Sequence, residues 1–164
     1  MLKVLFICTH NRCRSILAEA LTRHIASDVI DVRSAGSQPA GVVFPGSLRY
    51  LESQGISTAC LSSQSWDEHE SFQPDVVITV CDSAAGETCP AWFGQAARVH
   101  WGLEDPSKLP DETQQQEKFI EVGQMMQDRL QTLVTALRSG DINYAESDKD
   151  SLALAITQIL VRAQ

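Results

Sequence analysis

The chain has 164 residues, is 43% hydrophobic and carries a net charge of −8, which suits one full-sized core and argues against a nucleic-acid partner. No apolar run reaches membrane-spanning length and the N-terminus enters a strand directly, so a cytoplasmic protein with no membrane association is expected. Five cysteines, an odd number without a secretion signal, point to thiols that react and not to a disulfide framework.

Leu2, Val4, Leu5, Phe6 and Ile7 form an apolar run of the kind buried on both faces of a parallel sheet, and it stops at Cys8. From Arg14 or Ser15 a helix follows, with Ile16, Leu17, Ala20, Leu21, His24 and Ile25 at helical spacing. Val29 to Ala35 reads as a second strand ending at Gly36. Pro39, Gly41 and Gly46 mark a loop, and Pro45 opens a helix across Leu48, Tyr50 and Leu51 that ends near Gly55. Ile56 to Trp66 is a Ser-rich connection with room for a short strand or turn, and Asp67 to Phe72 allows a helical turn.

Asp75 to Val80 is the third strand, ending at Cys81. A mobile loop is expected from there to Gln95, through Ala84-Ala85-Gly86 and Cys89-Pro90. Arg98 to Trp101 is the fourth strand, and Gly102 to Pro110 a loop carrying Asp105. A long helix has Phe119, Val122, Met126, Leu130, Leu133 and Leu137 as its apolar stripe and stops at Gly140. Residues 1–140 thus form the expected catalytic domain. Residues 141–164 add a polar linker and an amphipathic helix, with Leu152, Ile156, Ile159, Leu160 and Ala163 on one side and Ser151 as N-cap. That helix packs on its own domain or between subunits, so monomer and homodimer both stay open.

Strands alternating with helices predict an α/β fold, a four-stranded parallel sheet flanked by helices with right-handed crossovers and the flavodoxin-like order 2-1-3-4. In that order the carboxyl ends of the first and third strands flank the binding crevice. Cys8, Cys81 and Asp105 then converge on one edge, and strands about 4.8 Å apart bring two sulfurs within disulfide reach after a modest loop shift.

The turn between the first strand and helix reads CTHNRCRS. Its backbone N–H groups can curl around a tetrahedral oxyanion at a helix N-terminus, and the nest and helix dipole favour an anionic sulfur at Cys8. Arg14 offers a planar fork for two oxygens, Ser15 can donate to the sulfur, and Asn11 suits a positive φ. CTHNRCRS followed by ILAEAL resembles the phosphate-binding loop of low-molecular-weight protein tyrosine phosphatases and of the arsenate reductases that share their fold. The resemblance extends through Ser34-Ala35-Gly36 and Asp105-Pro106, over residues 1 to about 138. It departs at His10, where many members carry a small residue. It implies oxyanion binding by Thr9, His10, Asn11, Arg12, Cys13, Arg14 and Ser15, with arsenate as substrate and phosphate and sulfate as analogues.

Hydrolysing a phosphoester takes one nucleophilic sulfur and water, whereas reducing arsenate to arsenite takes two electrons, supplied when two sulfurs become a disulfide. Cys81 and Cys89, eight positions apart, are similar to the resolving pair of arsenate reductases. Ser107 and Lys108 follow Asp105-Pro106 where the phosphatases often carry aromatic residues that wall a phosphotyrosine pocket. Arsenate reductase is therefore the leading reading, with Cys8, Arg14, Asp105, Cys81 and Cys89 catalytic and Asp105 as general acid or, alternatively, as a turn cap. Tyrosine phosphatase and a thiol-based redox or metalloid-sensing module are the alternatives. The implied electron donor is thioredoxin or glutathione with glutaredoxin, and no bound cofactor or metal is expected. Cys13 is a protective disulfide partner of Cys8 or a packed thiol, Cys60 is expected to be structural, and His24, His69 and His100 are read as polar surface or core residues.

Overall fold

The computed structural model describes residues 1–87 and 89–161. Four strands, β1 (Leu2–Ile7), β2 (Ile30–Ala35), β3 (Val76–Thr79) and β4 (Ala97–His100), form one parallel sheet in the order β2-β1-β3-β4. Among the described residues five α-helices surround it: α1 (Arg14–Ala26), α2 (Pro45–Ser53), α3 (Asp82–Ala85), α4 (Glu112–Ser139) and α5 (Lys149–Leu160). The predicted topology is the observed one. β1 lies between two neighbours and is buried at every position but Lys3, which is why it reads as continuous apolar sequence and not as an alternation.

Register fixes the working edge. Ile7 pairs with Ala35 on one side and Thr79 on the other, and Thr79 pairs with His100. The strands therefore end level, and Cys8, Gly36, Cys81 and the chain after β4 leave the sheet together. α4 and α1 pack against one another and α2 against both, closing one core that includes Phe6, Leu17, Leu51, Met126 and Leu130. The α4 N-terminus is capped by Asp111, whose carboxylate accepts from Gln114 N, and Gly140 ends the helix at φ 84°.

Several expectations are corrected. The segment from Cys81 to Gln95 is not all loop: it contains α3 and a 3-10 turn at Ala91–Gln95, and Thr88 lies outside the described residues. Another 3-10 turn, Pro106–Lys108, follows Asp105. Between Ile56 and Trp66 the turn of the two expected features is present, at residues 59–60, beside an isolated parallel bridge of Ser65 to Gly36, and no strand forms. The N-cap of α5 is Asp148, which accepts from the Ser151 N–H at 2.8 Å, so Ser151 sits inside the first turn. α5 packs on β4 and α4 of its own chain through Leu152, Ile156 and Leu160; Ala163 lies outside the described residues. Cys60 is exposed, not structural. Among the described residues no helix is long and apolar enough to cross a membrane.

Candidate active site

The loop from Cys8 to Cys13 is shaped by Asn11, which takes φ 47° as its residue type allows and is fully buried. Its Nδ2 donates to Ser15 Oγ at 2.8 Å and Ser34 Oγ at 3.0 Å, and its Oδ1 accepts from Gln64 N at 2.8 Å. Ser34 in turn donates to the buried Glu19 carboxylate, which pairs with Arg23 at 2.6 Å. The proton count then orients the chain. Ser15 Oγ accepts from Asn11, so its own hydrogen is free for Cys8 Sγ, 3.1 Å away.

The loop backbone is pinned from outside. Thr9 O accepts from Gln38 N at 2.8 Å, His10 O from Ala40 N at 2.9 Å and Arg12 O from Phe44 N at 2.9 Å. In a trans peptide the N–H points opposite to the carbonyl, so the amides of His10, Asn11 and Cys13 turn away from these anchors. Gly36 closes the fit: a Cβ there would lie 2.6 Å from Thr9 O, 2.9 Å from Cys8 O and 3.0 Å from Asn11 N. α1 starts without a side-chain cap, leaving its first amides to other partners.

Arg14 Nη1 donates to Leu103 O at 3.1 Å and Nη2 lies 3.4 Å from Asp105 Oδ2. Asp105 also caps its 3-10 turn, its Oδ1 accepting from Ser107 N at 3.0 Å and Ser107 Oγ at 2.6 Å, so the cap and the arginine partner are one residue using two oxygens. Arg12 stacks over the Phe44 ring at 4.7 Å and donates to Ser107 Oγ at 3.3 Å. Exposed His10 is tied to Gln38 O at 3.0 Å.

Cys8 and Cys81, both buried, line one pocket of about 160 Å³ together with Thr9, His10, Arg12, Cys13, Arg14, Ser83, Asp105 and Lys108. Cys81 is the N-cap of α3, its sulfur accepting from Ala84 N at 3.4 Å, and it lies 3.7 Å from Thr9 Oγ1. Cys89 is half-buried and outside that lining, its thiol donating to Glu87 O at 3.8 Å. A larger cavity of about 320 Å³ between α2 and α4 is lined by Tyr50, Gln115 and Phe119 and contains no cysteine, so size does not identify the site. Cys13 is buried and pushed up to about 12, first by desolvation and then by the Asp105 carboxylate, which makes it a packed thiol. His69 is buried and bonded to Gln64 Oε1 at 2.8 Å, and burial lowers its affinity for a proton. Half-exposed His100 bridges Thr79 and Asp82. Among the described residues no group of three or more His, Cys, Asp or Glu is placed to hold a metal ion.

Glu19, Ser83, Glu87 and Lys108 are site neighbours that the sequence reading did not select. Only Glu19 leaves a signal, as a carboxylate inside the apolar stripe ILAEAL. The others depend on long-range placement.

Residues 3–141 match the family described as low molecular weight phosphotyrosine protein phosphatase. The chain is 37% identical over 105 residues to an arsenate reductase of Halalkalibacterium halodurans, covering 64% of this chain and 74% of that protein. A solved arsenate reductase in a phosphate-binding state superposes with a TM-score of 0.69 at 30% identity, covering 84% of this chain and 99% of that one. A thioredoxin-dependent arsenate reductase of Corynebacterium glutamicum gives 0.65 at 28% identity, covering 85% and 63%.

Proposed function

The chain belongs to the low molecular weight phosphotyrosine protein phosphatase family, and from that membership we propose that it reduces arsenate to arsenite. The observation that carries the choice of chemistry is the second sulfur. Cys81 lines the same pocket as Cys8, and a hydrolase has no use for it there.

In the proposed cycle the loop amides and Arg14 hold arsenate while the Cys8 sulfur, supported by the Ser15 hydroxyl, attacks arsenic. Asp105 gives a proton to the departing oxygen, and its position beside Arg14 keeps acid and anion clamp together. Cys81 then attacks the Cys8 sulfur. A sulfur–sulfur bond forms, the sulfur–arsenic bond breaks, and its electron pair stays on arsenic, which leaves as arsenite. Cys89 attacks Cys81, frees Cys8 and carries the disulfide outward, and its lesser burial supports thioredoxin as the reductant that collects it. Residues 1–140 serve as the catalytic unit and α5 as its brace on β4.

The test is arsenate-dependent oxidation of NADPH through thioredoxin and its reductase, beside a glutathione–glutaredoxin arm and a phosphotyrosine hydrolysis assay. Turnover in the thioredoxin arm is expected. Phosphotyrosine hydrolysis with no arsenite formed would overturn the proposal, and turnover in the glutathione arm alone would reassign the donor.

A further inference from the structure

We propose that Lys108 is a specificity-determining residue of the pocket, its ammonium reserved for the outermost oxygen of an inorganic oxyanion; the proposal deepens the arsenate-reductase reading above and rests on it for the choice of anion. Lys108 lines the pocket with Cys8, Arg14 and Asp105 and is half-buried. The other charged or basic side chains of the lining are already engaged. Arg14 holds Leu103 O and meets Asp105, Arg12 reaches Ser107 Oγ and covers the Phe44 ring, and His10 is tied to Gln38 O. Both oxygens of Asp105 are taken as well, one beside Arg14 and the other accepting from the Ser107 amide and hydroxyl. Among the described residues Lys108 has no ion pair and no side-chain hydrogen bond. A half-buried ammonium without a counter-charge is costly, and an anion in the pocket supplies the partner.

The place of Lys108 on the chain decides which oxygen it meets. It ends the 3-10 turn Pro106–Lys108 that Asp105 caps, and its N–H donates to Asp105 O at 3.2 Å. Side chains three positions apart in such a turn lie over one another, so Lys108 faces the pocket from the side of the acid. The oxygen that Asp105 protonates lies opposite the attacking Cys8 sulfur, and Lys108 meets that same oxygen.

In free arsenate or phosphate this oxygen is bare or carries a hydrogen, whereas in a phosphoester it carries the organic group. An ammonium there gains a charged partner from the first. It gains none from the second, and an aryl group laid over it strips water from a strongly hydrated cation. The net charge of −8 repels both kinds of ligand at long range, so the choice between them falls to groups inside the pocket.

The experiment is a titration of the full chain with inorganic phosphate and with phenylphosphonate, which keeps the tetrahedral head and puts an aryl group in place of one oxygen. Wild type, Lys108→Met and Lys108→Arg are compared at pH 8, where both ligands are mainly dianions. Lys108→Met is expected to weaken phosphate binding about tenfold and to leave phenylphosphonate within about twofold, so the preference between them collapses; Lys108→Arg should keep that preference. Unchanged phosphate affinity in Lys108→Met would overturn the proposal. Equal weakening of both ligands would do the same, since a disturbed loop or a general loss of positive charge gives that result, and so would loss of the preference in Lys108→Arg, which would put the effect on packing and not on charge. Neither ligand is reduced, so a wild type that makes no arsenite in a parallel single-turnover assay defeats the arsenate reading while the binding ratio still judges Lys108.

Discussion

The β1–α1 loop and the β3–β4 connection reach the same pocket and are built in opposite ways. The loop is held on three sides: Asn11 has three side-chain hydrogen bonds, three loop carbonyls are taken by residues 38, 40 and 44, and Gly36 presses on its backbone. A buried hydrogen bond of this kind is worth about 1 kcal/mol net, so together they fix the loop before any anion arrives. The connection offers α3, four residues long, a 3-10 turn, and the Glu87 contact to Thr9. A four-residue helix has little internal hydrogen bonding to lose. Anion binding wants a shape that does not change; a disulfide passed from Cys81 to Cys89 wants one that does.

The largest effect is expected on the fixed side. Cys8→Ser should reduce arsenite formation to background while arsenate or phosphate still binds by titration, because the cradle is intact and the nucleophile is gone. Retained turnover would remove Cys8 from its role. In the β3–β4 connection, Cys89→Ser should release one equivalent of arsenite and stop with thioredoxin, with peptide mapping showing Cys8 joined to Cys81. Normal steady-state turnover would mean that no outward transfer is needed.

Arg14→Lys should cost about 10²- to 10³-fold in kcat/KM, since an ammonium cannot grip two oxygens and also hold Leu103 O and Asp105. A variant within a few-fold of wild type would mean that the guanidinium serves only the structure. Gly36→Ala should cost about 1–3 kcal/mol in thermal or urea unfolding and weaken phosphate binding as well, because its neighbours are loop backbone that must shift. If stability falls and anion affinity does not, the loop is less rigid than its bonding implies.

The smallest effect concerns Cys13. The fold keeps this thiol neutral from its ordinary value of 9.0 up to about 12, so above pH 9 unfolding releases a proton and stability declines as pH rises across that window. Cys13→Ser should flatten that decline in melting curves at pH 8 and 10 while leaving arsenate turnover near wild type. Loss of turnover would give Cys13 a chemical role.

The loop and sheet were legible in the sequence for a common reason: their signals are local. β1 is a run of apolar residues, α1 starts where the 3.6 period starts, and Asn11 is a residue type that fits its φ of 47°. Cys81 and Asp105 could be brought to Cys8 because strand order alone places strand ends. The connection was read as loop because four helical residues carry no period, and its cap is a sulfur that capping rules do not look for. Expecting Ser151 as the cap of α5 missed Asp148 for a related reason: two residues of capping type three apart fill the Ncap and N3 positions of one turn, and only the backbone tells which comes first. Glu87 was invisible because its meaning is set by Thr9, 78 residues away.

Consider the chain as it leaves a ribosome. The nucleophile is made among the first residues, but Gln64 must arrive before Asn11 is seated, Cys81 before the pocket has its second wall, and Leu103 and Asp105 before Arg14 is aimed; that last contact spans 89 positions. A nascent or prematurely ended chain of a hundred residues therefore carries the nucleophile's cysteine with no seat for its arginine. Synthesis itself acts as a timer on chemical competence.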